Sequence, residues 1–231
     1  MKPVSSDPRD QFIAEVVSDQ TFADVGGLWG VVNEKVSVAW RHRARGLTMI
    51  DVTPDTPDPG GLWGKFRERM TEMNVERYTC LSQDICDPAL AQQASFDVVH
   101  CSGVLYHHPH PLLMLEALRA VTRRYLILTS SILPEVIENE HGRYQLPPSG
   151  VLFIPALGDA EFKIVKTFWE QAGVQAHGLT ERVTYRLRDF GPWWWLPTAS
   201  ALTAMCEAVG FKAIKSQLTW RDKALVLLLS V

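Results

Sequence analysis

Apolar and polar positions alternate along the chain in blocks that predict strands and helices in turn. Five segments of strand length occur, at residues 22–25, 48–52, 76–82, 96–101 and 125–129, and most of them are rich in apolar residues. Apolar residues at helical spacing lie between them, at 31–43, 61–73 and 110–121. Apolar strands separated by helices indicate a parallel sheet that is covered on both faces.

The C-terminal part adds one helix and two strands to this pattern. A helix is predicted at 198–209, and Gly210 stands where helices commonly end. Strands are predicted at 211–220 and 223–231, and the short turn between them favours antiparallel pairing. The pattern therefore predicts an α/β fold with a Rossmann-like, doubly wound sheet of seven strands, mostly parallel, with the last strand antiparallel.

Two segments lie outside the regular alternation. The Asp7–Pro8 pair is typical of a helix start, so we assign residues 1–20 to an N-terminal helix. Residues 131–195 form an insertion between the fifth strand and the last helix, far longer than an ordinary connection. We expect this insertion to be a lid that covers the functional site of a single domain spanning 1–231.

Composition narrows the class of protein. The chain has 231 residues, of which 46% are hydrophobic and 21% charged, as is typical of a folded globular protein. Its net charge of −3 disfavours a nucleic-acid partner, because phosphate binding needs clustered Lys and Arg. The longest apolar run, 224–229, is far shorter than the roughly 20 residues that span a bilayer.

We expect a cytoplasmic protein with no membrane partner, because no leader pattern opens the chain. The four cysteines have neither CxxC nor zinc-site spacing, so no metal is expected. The oligomeric state is left open. Eight tryptophans are many for this length, and three of them stand together at 193–195.

Glycines and carboxylates follow the first two predicted strands, at the edge where α/β sheets bind ligands. The first strand contains Asp24 and leads into a turn with Gly26, Gly27 and Gly30, with Trp29 among them. Such a turn lets the backbone approach a ligand beside a helix N-terminus.

Carboxylates follow the second and third strands as well. Asp51 ends the second strand, 21 residues beyond Gly30, where a carboxylate accepts hydrogen bonds from ribose hydroxyls. The third strand leads to Asp84 and Ile85, which suit the amino group and the ring face of an adenine.

These motifs resemble those of the class I S-adenosylmethionine-dependent methyltransferases over residues 20–130 and 196–231. The segment 96–111 is similar to the family's fourth-strand motif, and its Gly-Val-Leu-Tyr-His sequence occurs in a subgroup that includes enzymes modifying the tRNA wobble uridine. One position departs from the family, because Leu28 stands where a second glycine is usual. The resemblance implies S-adenosyl-L-methionine as cofactor. The implied cofactor-binding residues are Asp24, Gly26, Gly27, Trp29, Gly30, Asp51, Asp84, Ile85 and Cys101.

Methyl transfer to a hydroxyl requires a group that accepts the proton. His107 and His108 follow the fourth strand and are the candidate catalytic residues, with the alternative that His107 only holds its loop by bonding to backbone. The candidate acceptor-binding residues are Tyr106, His141, Tyr144, Trp193 and Trp194. For the two tryptophans the alternative is packing of the insertion onto the sheet, and for His141 and Tyr144 it is a solvated loop.

The leading hypothesis is a methyltransferase that acts by direct displacement on a small-molecule acceptor, most simply on a hydroxyl oxygen. Three alternatives stay open at this stage. They are a tRNA- or RNA-modifying methyltransferase, a nicotinamide-dependent oxidoreductase on a similar fold, and a cofactor-binding protein without catalysis.

Overall fold

The computed structural model describes residues 7–30, 33–58, 60–188 and 190–231. Its helices are α1 Pro8–Val16, α2 Val36–Arg41, α3 Leu62–Glu72, α4 Pro88–Gln93, α5 Pro111–Val121, α6 Asp159–Gln171 and α7 Ala199–Ala208. Its strands are β1 Thr21–Val25, β2 Gly46–Asp51, β3 Thr79–Ser82, β4 Phe96–Ser102, β5 Thr122–Ser131, β6 Val136–Asn139, β7 Gly142–Gln145, β8 Val151–Phe153, β9 Trp195–Pro197, β10 Lys212–Thr219 and β11 Ala224–Ser230.

Seven strands form one sheet in the order β10-β11-β5-β4-β1-β2-β3. Neighbours from β3 to β5 pair in parallel, whereas β11 pairs antiparallel with both β5 and β10. The predicted α/β fold with an antiparallel last strand is therefore confirmed. The order of the first five strands, 3-2-1-4-5, is that of the dinucleotide-binding Rossmann sheet. The two sheets differ beyond the fifth strand, where β11 lies between β5 and β10.

Helices cover both faces of the sheet because its central strands are apolar on both sides. One buried cluster joins the sheet to α4, α5 and α7 through side chains such as Leu90, Leu115 and Leu202. A second cluster joins the opposite face to α1, α2 and α3, with Ile13 and Phe66 among its members. Every residue of β4 is buried, as its central place between these layers requires.

The second predicted helix begins later than its apolar pattern indicates. A start at residue 31 was expected, but α2 begins at Val36, and residues 31 and 32 lie outside the described residues. The backbone N–H of Lys35 donates to the Asp24 carboxylate at 2.7 Å, and Glu34 accepts from the Ser37 N–H at 2.6 Å. The carboxylates of Asp24 and Glu34 thus satisfy backbone N–H groups at the start of α2.

The insertion forms small elements and an apolar cluster of its own. Strands β6 and β7 make a hairpin, β8 pairs with β9, and α6 packs against the hairpin. Trp169, Val165 and Leu179 are fully buried in this third cluster. Among the described helices, none combines the length and apolar character needed to cross a bilayer.

Candidate active site

A cavity of about 950 Å³ opens at the carboxyl edge of the parallel strands. This volume lies near the upper end of the roughly 300–1,000 Å³ range for small-molecule sites. The loops after β1, β2, β3 and β4 line it, together with α1, the end of β5, the β10–β11 turn and two parts of the insertion. The edge is where ligands bind in open α/β sheets.

The turn after β1 needs glycine at three positions, for two different reasons. Gly26 has a φ of +75°, its N–H donates to the Ile50 carbonyl at 2.8 Å, and a Cβ there would overlap the Val104 side chain. A Cβ on Gly27 would overlap the Asp24 carboxylate. Gly26 lines the cavity, whereas Gly27 and Gly30 are not among the described lining residues. Gly30, with φ +102° and open space around it, needs glycine only for its backbone conformation.

Asp24 lies beneath this turn and its side chain does not line the cavity. The carboxylate is fully buried, 2.7 Å from His100 Nδ1 on β4 and 2.7 Å from the Lys35 N–H. Asp24 therefore ties β1 to β4 and to the start of α2. Cys101 is also fully buried in the core, where burial raises the pKa of its thiol. The side chains of Asp24 and Cys101, both predicted to bind the cofactor, are thus enclosed by other protein groups, and their assignment to the cofactor stays a prediction.

Asp51 lines the cavity with an unsatisfied carboxylate oxygen. Its Oδ1 accepts from the Thr53 N–H at 2.9 Å, whereas its buried Oδ2 has no hydrogen-bond partner among the described residues. Asp84 and Ile85 line the same cavity beyond β3. Asp84 Oδ1 accepts from the Cys86 N–H at 2.9 Å, which fixes the orientation of the carboxylate.

Arg9 is a lining residue that the sequence pattern did not single out. It projects from α1, and its Nη1 donates at 3.0 Å to Oγ of Ser102, the last residue of β4. Asp7 holds the other side of the guanidinium, with Oδ2 at 2.7 Å from Nη2. A contact over 93 positions of sequence leaves no local signal.

His107 lines the cavity and keeps one ring nitrogen free to accept a proton. Its Nδ1 lies 3.2 Å from the Pro192 carbonyl, which only accepts; in the neutral ring this contact assigns the hydrogen to Nδ1 and leaves Nε2 as the basic nitrogen. Burial lowers the pKa of His107, although the carbonyl contacts oppose that change. The neighbouring Tyr106 also lines the cavity, and burial raises the pKa of its phenol to about 12.

His108 lines the cavity too, but both of its ring nitrogens have neighbours. Nδ1 lies 2.9 Å from the His110 carbonyl oxygen and 3.1 Å from the His110 nitrogen, and Nε2 lies 3.7 Å from Cys86 Sγ. Burial lowers the pKa of His108 as well. Its ring packs against Phe190 at 5.6 Å between centroids. This environment suits a wall beside Asp84 better than a proton acceptor.

Four predicted acceptor residues are not among the described lining residues. Trp193 is buried between Tyr106 and Trp169, with centroid separations of 4.0 and 5.3 Å. Trp194 is buried, and its backbone N–H donates to the Tyr106 carbonyl at 2.7 Å. The Trp193 ring and the Trp194 backbone therefore hold the insertion against the loop after β4, and an acceptor-binding role for the two residues stays a prediction.

The other two of these residues lie on the β6–β7 hairpin. His141 is exposed at its turn, and Tyr144 is half-buried on β7. The insertion instead contributes His177, Phe190 and Gly191 to the cavity. The β10–β11 turn contributes Trp220, a residue that the sequence argument did not consider.

No protein-family model matches the sequence. No curated protein matches it either. The fold of the chain, however, is similar to that of several solved methyltransferases.

The magnesium protoporphyrin IX methyltransferase of Synechocystis PCC 6803, with bound S-adenosylhomocysteine, matches with a TM-score of 0.58 and 14% identity over 96% of this chain and 81% of that chain. The Burkholderia thailandensis 1,6-didemethyltoxoflavin-N1-methyltransferase, with its substrate and S-adenosylhomocysteine bound, gives a TM-score of 0.57 and 14% identity over 96% of this chain and 76% of that chain. A mitomycin 7-O-methyltransferase gives a TM-score of 0.55 and 13% identity over 96% of this chain and 53% of that chain. The chain therefore has the fold of the class I S-adenosylmethionine-dependent methyltransferases.

Proposed function

We propose that this protein is an S-adenosylmethionine-dependent methyltransferase that methylates a hydroxyl oxygen of a small molecule. The observation that carries the proposal is the Asp51 carboxylate, whose buried Oδ2 faces a cavity without a hydrogen-bond partner among the described residues. A buried carboxylate oxygen requires a donor. The vicinal hydroxyls of a ribose supply such donors at the end of the second strand.

The remaining lining residues fit the other parts of this cofactor. Asp84 and Ile85 offer an acceptor and an apolar surface for adenine. The turn at Gly26, which has no room for a side chain, and the backbone at Gly103 offer a close approach for the methionine part. The Arg9 guanidinium offers a positive charge for the methionine carboxylate.

The cofactor, when bound, supplies a methyl group that its sulfonium has already activated. The residues of this chain therefore have to align the acceptor, exclude water and take up one proton. His107 suits the proton transfer, because its Nε2 is unprotonated and burial favours the neutral ring. The insertion, residues 131–195, closes the acceptor side through Ser131, His177 and Phe190.

A small acceptor is favoured over RNA by the charge of the cavity. Arg9 is the single Arg or Lys among the described lining residues, and its contacts direct it to the methionine end. RNA binding would need several more such contacts to phosphates. The antiparallel β11 likewise favours a methyltransferase over a nicotinamide-dependent oxidoreductase.

The test is titration calorimetry with S-adenosylhomocysteine. Asp51→Asn preserves shape and removes the charge, and we expect the dissociation constant to rise about 10- to 100-fold, as loss of hydrogen bonds to a charged group implies. Asp55→Asn is the matched control, because Asp55 is exposed and pairs with Arg67 outside the cavity. Absence of binding by the unmodified protein, or equal affinities for both variants, would contradict the proposal.

A further inference from the structure

We infer that the acceptor is a neutral, planar aromatic alcohol whose ring lies against Trp220 and Trp29. The inference rests on the proposed function, since it names the substrate class of the same site. Three independent observations lead to it: the exposure of these two indoles, the backbone of the β10–β11 turn, and the distribution of charge around the cavity.

The two tryptophans are exposed at the cavity although large aromatic side chains are normally buried. Trp29 is 69% exposed and Trp220 is 57% exposed, whereas Trp63, Trp169 and Trp193 are at most 5% exposed. Both exposed indoles line the cavity. Exposed apolar surface that adjoins a concave site is typical of ligand binding. The aromatic surface for the acceptor is therefore at these positions and not at 193–194.

The turn that carries Trp220 has an unusual backbone. Trp220, Arg221 and Asp222 all have left-handed conformations, with φ of 57°, 55° and 63°. Three successive non-glycine residues in this region cost free energy that surrounding contacts must offset. Such strain is often found at functional sites.

Lys223 supplies the contacts that hold this turn. Its N–H donates to the Trp220 carbonyl at 3.2 Å, and its own carbonyl accepts from the Ile132 N–H at 3.0 Å. Its ammonium lies 3.8 Å from the ring centroid of Phe168 on α6. The turn is thereby fixed to both the sheet and the insertion, and it holds the Trp220 indole at the cavity.

Charge indicates that the acceptor is neutral. Among the described lining residues, three carry an Asp, Glu, Lys or Arg side chain: Arg9, Asp51 and Asp84. Each of these three suits a part of the cofactor. Among the described lining residues, none of these charged side chains is left on the acceptor side to pair with an ionised ligand, and burying an unpaired charge is unfavourable.

Hydroxyl groups mark where the polar end of the acceptor would lie. Thr129 Oγ1 on β5 is buried at the cavity and has no hydrogen-bond partner among the described residues. Ser131 and Tyr106, which also carry hydroxyl groups, line the same cavity. A flat apolar ring with one hydroxyl can therefore contact the indoles and reach the sheet edge with its oxygen.

The experiment measures binding of β-naphthol and of its saturated analogue β-decalol to the protein saturated with S-adenosylhomocysteine. The two probes share size and hydroxyl group but differ in planarity and aromaticity. We expect β-decalol to bind about three- to tenfold more weakly, the range that loss of one aromatic contact implies. Trp220→Ala should weaken β-naphthol by a similar factor and Trp220→Phe by less, with no change in the affinity for S-adenosylhomocysteine.

Trp40→Ala is the matched control, since Trp40 is 41% exposed on α2 and is not a described lining residue. It should change neither affinity. Failure of S-adenosylhomocysteine to bind would overturn the proposed function itself. Normal binding of S-adenosylhomocysteine, combined with equal affinities for the two alcohols or no effect of Trp220→Ala on β-naphthol, would overturn only the aromatic acceptor.

Discussion

Asp24 and Asp51 lie at or near the ends of neighbouring parallel strands, yet their environments are opposite. Asp24 is enclosed by His100 and the Lys35 backbone, and its carboxylate has a structural role beneath the glycine turn. Asp51 keeps one buried oxygen without a partner among the described residues and faces the cavity. A motif carboxylate can thus support a site without contacting what the site binds.

His107 allows a test at the same scale, because its protonation has a defined direction. Burial lowers its pKa from the ordinary 6.5, so the ring is neutral near pH 7. We expect its imidazole resonance, assigned by its loss in His107→Gln, to titrate with a midpoint below 6.5. A midpoint at or above 6.5 would contradict the buried, neutral base.

The same shift has a consequence for stability. The unfolded chain takes up a proton on this histidine near pH 6.5, before the folded protein does. The contribution of His107 to the free energy of unfolding therefore falls as the pH drops below 6.5, until the folded pKa is passed. His107→Gln should lose less stability than the unmodified protein over this interval.

At the scale of elements, α1 is attached to the rest of the molecule by charges as well as by its buried apolar face. Lys35 Nζ lies 3.0 Å from the Asp7 carboxylate and 2.7 Å from that of Asp10, and Asp7 also holds Arg9. Burial opposes ionisation of Asp7, but Arg9 and Lys35 outweigh it and hold its pKa well below the ordinary value. This group of charges positions Arg9 at the cavity.

Lys35→Met should therefore destabilise the protein and weaken its cofactor site together. We expect a loss of about 3 kcal/mol, the lower end of the range for a broken buried pair, because both aspartates keep some exposure. Lys215→Met is the control: Lys215 lies on β10, and the substitution removes its exposed pair with Glu15 of α1, a pair worth about 0–1 kcal/mol. Urea denaturation and calorimetry with S-adenosylhomocysteine measure the two effects, and equal losses for both variants would refute the structural role of Lys35.

At the scale of the whole molecule, the insertion has its own core and few direct links to the sheet. The loop after β4 is the main link, through the Trp194 N–H to the Tyr106 carbonyl and the stacking of Trp193 on Tyr106. The His107 ring contacts the Pro192 carbonyl, and the Trp195 indole N–H donates to the Pro109 carbonyl. The cavity lies where these two parts of the molecule meet.

Trp193→Ala should accordingly act on stability and not directly on acceptor contacts. Truncating a buried tryptophan costs about 3–5 kcal/mol of unfolding free energy. Trp193→Phe should lower the free energy of unfolding by less. The control Trp40→Ala, at an exposed position, should have nearly the unfolding free energy of the unmodified protein in urea denaturation. Full stability of Trp193→Ala would show instead that this ring is not part of the packing.

The sequence pattern predicts the sheet well because strand and helix periodicity is local information. It also places Asp51, Asp84 and Gly26 correctly at one edge, since parallel strands bring their carboxyl ends together. It does not distinguish the buried Trp193 from the exposed Trp220, because burial depends on tertiary contacts. The strands of the insertion are only three or four residues long, too short for a periodic signal.

The contact of Arg9 with Ser102 connects two equilibria. Arg9 belongs to the first helix, whereas the groove it enters is built by the sheet. A ligand that binds this guanidinium in its docked position also binds the docked form of α1 in preference to the detached one. By linkage, docking of the helix strengthens ligand binding by the same free energy with which the ligand strengthens docking.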